Sequence, residues 1–146
     1  MKVYIASDHA AFNEKQALIE QLKTRYEIVD LGTNNNDSVN YPHFAFSVVK
    51  KIQGTKEVGI LLCGSGIGIS IAANRFKGIR AALCRDEEDA RLSREHNDAN
   101  IIVFAGRKTT VNDMVKMTDI FLSTEFEGGR HQTRIDLFNN LGEESL

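Results

Sequence analysis

The sequence predicts an α/β protein in which a parallel sheet of five strands lies between two layers of helices. Five short runs are apolar almost throughout, as expected for parallel strands that are covered on both faces. Longer stretches with helical periodicity separate these runs, and such alternation gives an open parallel sheet with right-handed crossovers. The 146 residues suit one domain with its own core. We therefore expect a single domain over residues 1–146 with a Rossmann-like three-layer αβα fold.

The individual elements follow from local patterns. The predicted strands are VYIAS, EIVDL, VGILLC, IRAALC and NIIVFA, at residues 3–7, 27–31, 58–63, 79–84 and 100–105. After the first strand, apolar residues from Ala11 to Tyr26 follow i, i+3, i+4 spacing, and only Lys15 on that face is polar. Pro42 suits the first turn of the second helix. Further helices are predicted at residues 43–54, 67–76, 86–95, 111–123 and 131–140.

Composition and charge exclude several classes of protein. Apolar residues make up 42% and charged residues 26%, as in an ordinary globular protein, and the net charge is -2. Because there is no long basic run, we expect no nucleic-acid binding. No apolar stretch approaches the roughly 20 residues of a membrane span. The chain begins with a strand-like run rather than a secretory signal and has two cysteines, which predicts free thiols in a reducing cytoplasm.

Polar residues follow four of the predicted strands directly. These segments are Ser7-Asp8-His9, Cys63 to Gly68, Arg85-Asp86 and Gly106-Arg107. Ligands of open α/β sheets bind beyond the carboxyl ends of the strands. We therefore expect these segments to converge on one edge of the sheet.

The segment CGSGIG after the third strand fits none of the common glycine motifs. It lacks the Lys-Ser/Thr of a phosphate loop and the first glycine of a nucleophile elbow, and Ile69 breaks the dinucleotide fingerprint. It does fit a strand-to-helix turn whose N–H groups face an anion, and the same field favours the thiolate of Cys63. The alternative is a buried strand-end cysteine, the interpretation that we favour for Cys84.

Two further clusters carry groups for binding and proton transfer. Arg130 and Arg134 stand at i, i+4 near a helix start without a carboxylate at that spacing, which favours an anionic ligand such as phosphate. His96 could supply acid–base chemistry, although a histidine at a helix end is also stabilised by the helix dipole. His43 lies in an apolar stretch and is predicted to be structural. Because the histidines show no metal-ligand spacing, we predict no metal.

Six segments resemble the ribose-5-phosphate isomerase B family, which includes galactose-6-phosphate and allose-6-phosphate isomerases. They are SDHAAF, NYPH, CGSGIGISIAANRFKGIRAA, LSREHNDANI, FAGR and EGGRHQTRID. The resemblance spans nearly the whole chain. It implies a cytoplasmic, cofactor-free and metal-independent enzyme that interconverts ribose 5-phosphate and ribulose 5-phosphate through a cis-enediolate. It also implies a site shared between subunits of a homodimer or homotetramer, with the C-terminal helix at about 131–140 at the interface.

The resemblance also implies roles for individual residues. Catalysis falls to Cys63, Ser65, His96 and Asp8, and substrate binding to His9, Tyr41, Gly64, Gly66, Gly68, Asn97, Arg107, Arg130 and Arg134. One branch of the family uses a glutamate four residues after the cysteine position as the base. Ile67 stands there and cannot titrate, so the chain resembles the branch with a cysteine base.

Three alternatives stay open on the sequence. The substrate could be allose 6-phosphate or galactose 6-phosphate, since one hydroxymethyl unit is worth only about 1–3 kcal/mol in a pocket. The chain could also be a sugar-phosphate-binding module without activity, or one subunit of a heteromeric isomerase. Whether Cys84 touches Cys63 is open too, because both end strands that could be neighbours.

Overall fold

The computed structural model describes residues 1–145 and contains one parallel sheet of five strands in the order β2-β1-β3-β5-β4. The strands are β1 (Lys2–Ser7), β2 (Glu27–Asp30), β3 (Val58–Cys63), β4 (Ala81–Leu83) and β5 (Ile101–Ala105). The helices are α1 (Phe12–Leu22), α2 (Tyr41–Ile52), α3 (Ile67–Ala73), α4 (Glu87–Glu95), α5 (Val111–Ser123) and α6 (Arg130–Asp136). The predicted three-layer α/β fold is confirmed.

Position in the sheet explains the length of each strand. Every residue of the inner strands β3 and β5 is buried, whereas β2 and β4 form the edges and are half-exposed. The strand predicted at residues 79–84 is shorter than expected, because β4 pairs only with β5 and only through Ala81 to Leu83. A single 3₁₀ turn at His9–Ala11, which the sequence pattern did not predict, precedes α1.

Helices cover both faces of the sheet and bury separate clusters of side chains. Helices α1, α4 and α5 pack on one face, where Leu18 and Phe121 are buried. Helices α2 and α3 pack on the other face, where Val48 and Ile69 are buried. Each such side chain contributes about 1.5–3 kcal/mol to stability through burial. No helix among residues 1–145 is both long and apolar enough to cross a membrane.

Lys15, the polar residue on the apolar face of α1, is fully buried and paired. Its ammonium group donates to the carboxylate of Asp30 at 2.6 Å. The same carboxylate oxygen accepts a hydrogen bond from the Gly32 amide at 2.9 Å. The pair therefore joins α1 to the loop after β2, and that loop is held against β1 because the Ser7 amide donates to the Gly32 carbonyl.

The strand order places a crevice between β1 and β3. The chain leaves β1 towards β2 on one side and returns to β3 on the other, so the loops after β1 and β3 diverge at this point.

The strand order also shows whether Cys63 and Cys84 end neighbouring strands. Strand β5 lies between β3 and β4, so the strands that end near Cys63 and Cys84 are not neighbours.

Candidate active site

Cys63 ends β3 at the crevice and is 4% exposed. At each of the three positions after it that hold glycine, a different contact or conformation requires that residue. A Cβ at Gly64 would lie 3.1 Å from the Arg107 guanidinium, and one at Gly68 would lie 2.6 Å from the ring of Tyr41. Gly66 adopts a left-handed conformation with φ of +73°, which L side chains rarely adopt. The alternating glycines therefore shape the turn and leave room for Arg107 and Tyr41.

The turn after β5 holds this glycine turn in place. The Gly106 amide donates to the Cys63 carbonyl at 2.9 Å, and the Arg107 amide donates to the Gly64 carbonyl at 3.1 Å. Ser65 is exposed, and its hydroxyl accepts a hydrogen bond from the Ile67 amide. Within residues 1–145, the amides of Gly64, Ser65 and Gly66 donate to no protein acceptor. Three successive backbone N–H groups directly after Cys63 are therefore without a partner among the described residues.

Asp8 and His9 lie across the crevice from Cys63. Ser7 pairs with Leu62 in the sheet, so Asp8 follows at the level of Cys63 on the neighbouring strand. The Asp8 carboxylate caps the 3₁₀ turn through the Ala10 amide, at 3.0 Å. His9 accepts a hydrogen bond from the Val39 amide at Nδ1, at 3.1 Å. In the neutral ring this leaves Nε2–H as a donor for a ligand.

His96 and Asn97 lie at the opposite end of the sheet, because α4 runs back from the carboxyl end of β4 to its amino end. Arg80, just before β4, donates through Nε to the Asn97 carbonyl at 2.9 Å and through Nη2 to the Asp98 carbonyl at 2.9 Å. Two residues further on, the Asn100 carbonyl accepts from the Gly59 amide near the start of β3. The loop that carries His96 is therefore fixed to the amino ends of the strands.

Helix α6 brings its arginines to this same amino end. The ring of His131 stacks on that of His96 with centroids 4.2 Å apart. Arg130 and Arg134 are exposed, and neither forms an ion pair among the described residues. The prediction that both arginines lack a carboxylate partner on this helix is confirmed, but only Arg130 lies at its start, since Arg134 is in its last turn. The helix predicted at residues 131–140 spans Arg130–Asp136.

The expected site residues therefore form two clusters in one chain. The carboxyl-end cluster contains Asp8, His9, Tyr41, Cys63, Gly64, Ser65, Gly66, Gly68 and Arg107. The amino-end cluster contains His96, Asn97, Arg130 and Arg134. The length of β3 alone separates the two ends by about 16 Å. Convergence of the strand-end segments is confirmed for the first cluster, whereas within one chain His96 lies at the other end of the sheet from Asp8.

Three side chains that support the amino-end cluster are not identified by sequence reasoning. Arg80 bonds the loop carbonyls, His131 stacks on His96, and Glu127 stands beside His131. Glu127 and His131 are four residues apart within EGGRHQ, so their spacing is the one signal that could have found them. His96 and His131 are 35 positions apart and show no ligand spacing in the sequence, but the fold brings one ring nitrogen of each within 4.8 Å of the other and of a Glu127 oxygen.

Cys84 has the properties of a structural cysteine. It is 1% exposed, and burial raises the pKa of its thiol to about 12. Its Sγ lies 3.5 Å from the Ala82 carbonyl. The interpretation of Cys84 as a buried strand-end residue is confirmed.

The fold is that of an α/β protein with a cysteine and a glycine-rich turn at the switch point of its sheet, where proteins of this class bind ligands. A sequence model of the ribose/galactose isomerase family matches residues 3–138. The chain therefore belongs to this family.

Individual relatives agree with this assignment. Ribose-5-phosphate isomerase B of Escherichia coli is 40% identical over 137 residues, which are 92% of each chain. The crystal structure of a ribose 5-phosphate isomerase from Thermotoga maritima superimposes with a TM-score of 0.92 at 48% identity, covering 94% of this chain and 97% of that one. Ribose-5-phosphate isomerase B from Mycoplasma genitalium, crystallised with bound ribulose-5-phosphate, gives a TM-score of 0.88 at 43% identity, covering 94% and 93%.

Proposed function

We propose that this chain interconverts ribose 5-phosphate and ribulose 5-phosphate, with Cys63 as the base and without a metal. The similarity to the Mycoplasma genitalium enzyme with bound ribulose-5-phosphate carries the choice of substrate. The position of Cys63 beside unoccupied amide donors supports the choice of base. Because the base is a free thiol, a reducing compartment such as the cytoplasm suits the enzyme.

The proposed chemical step is a proton transfer between two adjacent carbons. The Cys63 thiolate removes the proton from C2 of the open-chain aldose, and the C2–H electron pair forms the double bond of a cis-enediol. The π pair of the C1 carbonyl moves onto O1, which takes up a proton. O2 then loses its proton and the O2–H pair forms the C2 carbonyl, while the C1–C2 double-bond pair takes the proton from the thiol at C1. The C1 carbonyl thus becomes a hydroxyl and the C2 hydroxyl becomes a carbonyl. No electron leaves the sugar, so the reaction needs no redox cofactor.

The turn after Cys63 stabilises the charge that develops on the enediolate oxygens. The amides of Gly64, Ser65 and Gly66 are preorganised because β5 fixes the turn through Gly106 and Arg107. Preorganised donors of this kind are each worth a factor of about 10² to 10³ in turnover. The exposed hydroxyl of Ser65 adds a hydrogen bond near the reacting carbons.

Opening of the furanose ring requires an acid for the ring oxygen and an acceptor for the O1 proton. His96 and Asp8 suit these two roles chemically, but the sheet separates them within one chain. We propose that His96 of a second copy faces Asp8 and Cys63 of the first. In this arrangement Asn97 from the second copy and Tyr41 from the first hold the sugar hydroxyls.

The phosphate lies at the same junction in this proposal. His9 offers an Nε2–H, and the Arg107 guanidinium covers Gly64 at the carboxyl end of the sheet. Arg130 and Arg134 of the second copy supply two further cations without competing carboxylates. Four donors, three of them permanently charged, suit a dianionic ligand.

Exposed apolar side chains mark the surface through which the two copies meet. Ile67 and Ile71 on α3 are 53% and 61% exposed, and Leu137 and Leu141 after α6 are 79% and 69% exposed. Ile67 adjoins the glycine turn, and Leu137 follows the helix of the two arginines. A two-fold interface that includes the C-terminal segment 131–140 would cover both patches and complete two sites at once.

Turnover of ribose 5-phosphate by the purified chain in the presence of a chelator tests the proposal. We expect activity to fall by about 10² to 10⁴ in Cys63→Ala and to persist in the matched cysteine variant Cys84→Ala. Allose 6-phosphate in a parallel assay tests the six-carbon alternative. Full activity of Cys63→Ala would refute the cysteine base, and binding of ribose 5-phosphate without conversion by the unsubstituted chain would refute the enzyme.

A further inference from the structure

The strongest feature outside the proposed chemistry is a set of three ligand-type side chains at the amino end of the sheet. One nitrogen of His96, one of His131 and one carboxylate oxygen of Glu127 all lie within 4.8 Å of one another. From this cluster we infer a binding site for a zinc-class divalent ion, which captures His96 and thereby inhibits the isomerase.

An orphaned nitrogen supports a ligand at this cluster. The His131 side chain is 6% exposed, and within residues 1–145 its Nε2 has no hydrogen-bond partner. A Glu127 oxygen stands 3.3 Å from that nitrogen, but the pair lacks hydrogen-bond geometry. Leaving a buried polar atom unpaired costs about 1–3 kcal/mol, so such an atom calls for a partner.

The 3.3 Å separation matches that of two ligands on one metal ion. Ligands at about 2.0–2.2 Å from a tetrahedral ion lie roughly 3.3 to 3.6 Å apart. Imidazole nitrogen and carboxylate oxygen are ligands that zinc-class ions accept, and two histidines with one glutamate leave a fourth position for water. The donor set therefore suits Zn²⁺ or Co²⁺ better than Mg²⁺, which prefers oxygen ligands.

Binding requires one local movement. The rings of His96 and His131 are stacked with an interplanar angle of 14°, so their nitrogen lone pairs run side by side rather than towards a common point. His96 is half-exposed and can turn, whereas His131 is buried. The positive charge of the neighbouring Arg130 opposes a cation. We therefore expect reversible binding with a Kd in about the micromolar range rather than that of a structural zinc site.

A bound ion should inhibit the isomerase, because it takes the lone pair that His96 needs for proton transfer. The binding itself goes beyond the proposed isomerase activity and can be measured without it. Co²⁺ serves as the spectroscopic probe, since nitrogen and oxygen ligands give weak visible bands, while a thiolate ligand adds an intense charge-transfer band in the near ultraviolet. The spectrum thus separates this cluster from Cys63.

The test compares Glu127→Gln with Glu125→Gln, an exposed glutamate two residues earlier that undergoes the same change of charge. We expect the unsubstituted chain to bind one Co²⁺ with visible bands and no thiolate band, and Zn²⁺ to inhibit turnover. Cys63→Ala and Glu125→Gln should keep the cobalt spectrum. Glu127→Gln should weaken cobalt binding by about tenfold or more, and zinc inhibition, measured relative to the variant's own metal-free turnover, should weaken by the same factor.

Several outcomes would overturn the inference. A thiolate band that disappears in Cys63→Ala would place the ion at the cysteine instead. Equal cobalt affinity of the two glutamine variants would exclude Glu127 as a ligand. Cobalt binding that matches the expected pattern without zinc inhibition would refute the capture of His96, even in a fully active isomerase.

Discussion

Two inactive variants of this chain should restore each other's activity when they are mixed. Cys63→Ala removes the proposed base from the carboxyl-end cluster, and His96→Asn removes the proposed acid from the amino-end cluster. The β3 strand, about 16 Å long, stands between the two clusters, so the proposed site joins them across a subunit interface. In a mixed dimer, one site carries both substitutions and the other carries neither.

The size of the recovery follows from this geometry. Random exchange between equal amounts of the two variants makes about half of the dimers mixed, and each mixed dimer has one intact site of two. The mixture should therefore reach about a quarter of the unsubstituted activity per chain. The turnover of each variant alone should be lower than that of the unsubstituted chain by a factor of about 10² or more. The recovered activity therefore stands far above the residual activity of the separate variants.

The assay denatures and refolds the mixed chains together, so that subunits exchange, and then measures turnover of ribose 5-phosphate. The matched control mixes the unsubstituted chain with the double variant Cys63→Ala/His96→Asn, in which every mixed dimer is dead. The activity per chain of this control should also fall to about a quarter of the unsubstituted value. Dilution of the active chain alone would leave about half of that value. No recovery in the first mixture, together with simple dilution in the control, would refute the shared site.

Three further predictions concern single groups. In urea titrations, Gly66→Ala should lower the free energy of unfolding by about 1–3 kcal/mol more than Gly78→Ala. Both glycines have a positive φ, but only a Cβ at Gly66 clashes, because it would lie 2.5 Å from the Leu83 side chain. Equal losses in the two variants would contradict this. Iodoacetamide at neutral pH should label Cys63 before Cys84, whose pKa of about 12 keeps it protonated, as peptide mass spectrometry can check. In D₂O, His96→Asn should still exchange the C1 proton of ribulose 5-phosphate by NMR, since this ketose has no furanose ring to open, while Cys63→Ala should not.

The fold is largely predictable because its signals are local. Buried parallel strands are apolar throughout, and the helices between them have a clear period, so the strand count and layers follow from the sequence. Strand order is a tertiary property and does not follow from these local patterns. The position of β5 between β3 and β4 depends on how the crossovers pack, and no residue near Cys84 signals it. The shortening of β4 has the same cause, since an edge strand extends only as far as its single neighbour.

The site is predictable in its chemistry more than in its placement. The carboxyl-end rule finds Asp8, Cys63 and Arg107 because each directly follows a strand. The contacts that explain the glycines are not visible in the sequence, since the residue that needs the space at Gly64 is Arg107, far along the chain. His131 shows the same limit, because its partner His96 lies 35 positions earlier and only the fold stacks their rings.

The distribution of functional groups between the two ends of the sheet constrains the assembly. In a parallel α/β sheet, loops that leave strands lie at the carboxyl edge and loops that enter strands lie at the amino edge. His96 and Arg130 lie near loops of the second kind, so no rearrangement of side chains brings them to Cys63. A two-fold axis that places the amino end of one copy on the carboxyl end of the other brings the two clusters together in both copies at once. A head-to-tail contact without closure would instead leave one unfinished site at each end of a growing chain, so the need for complete sites favours the closed dimer.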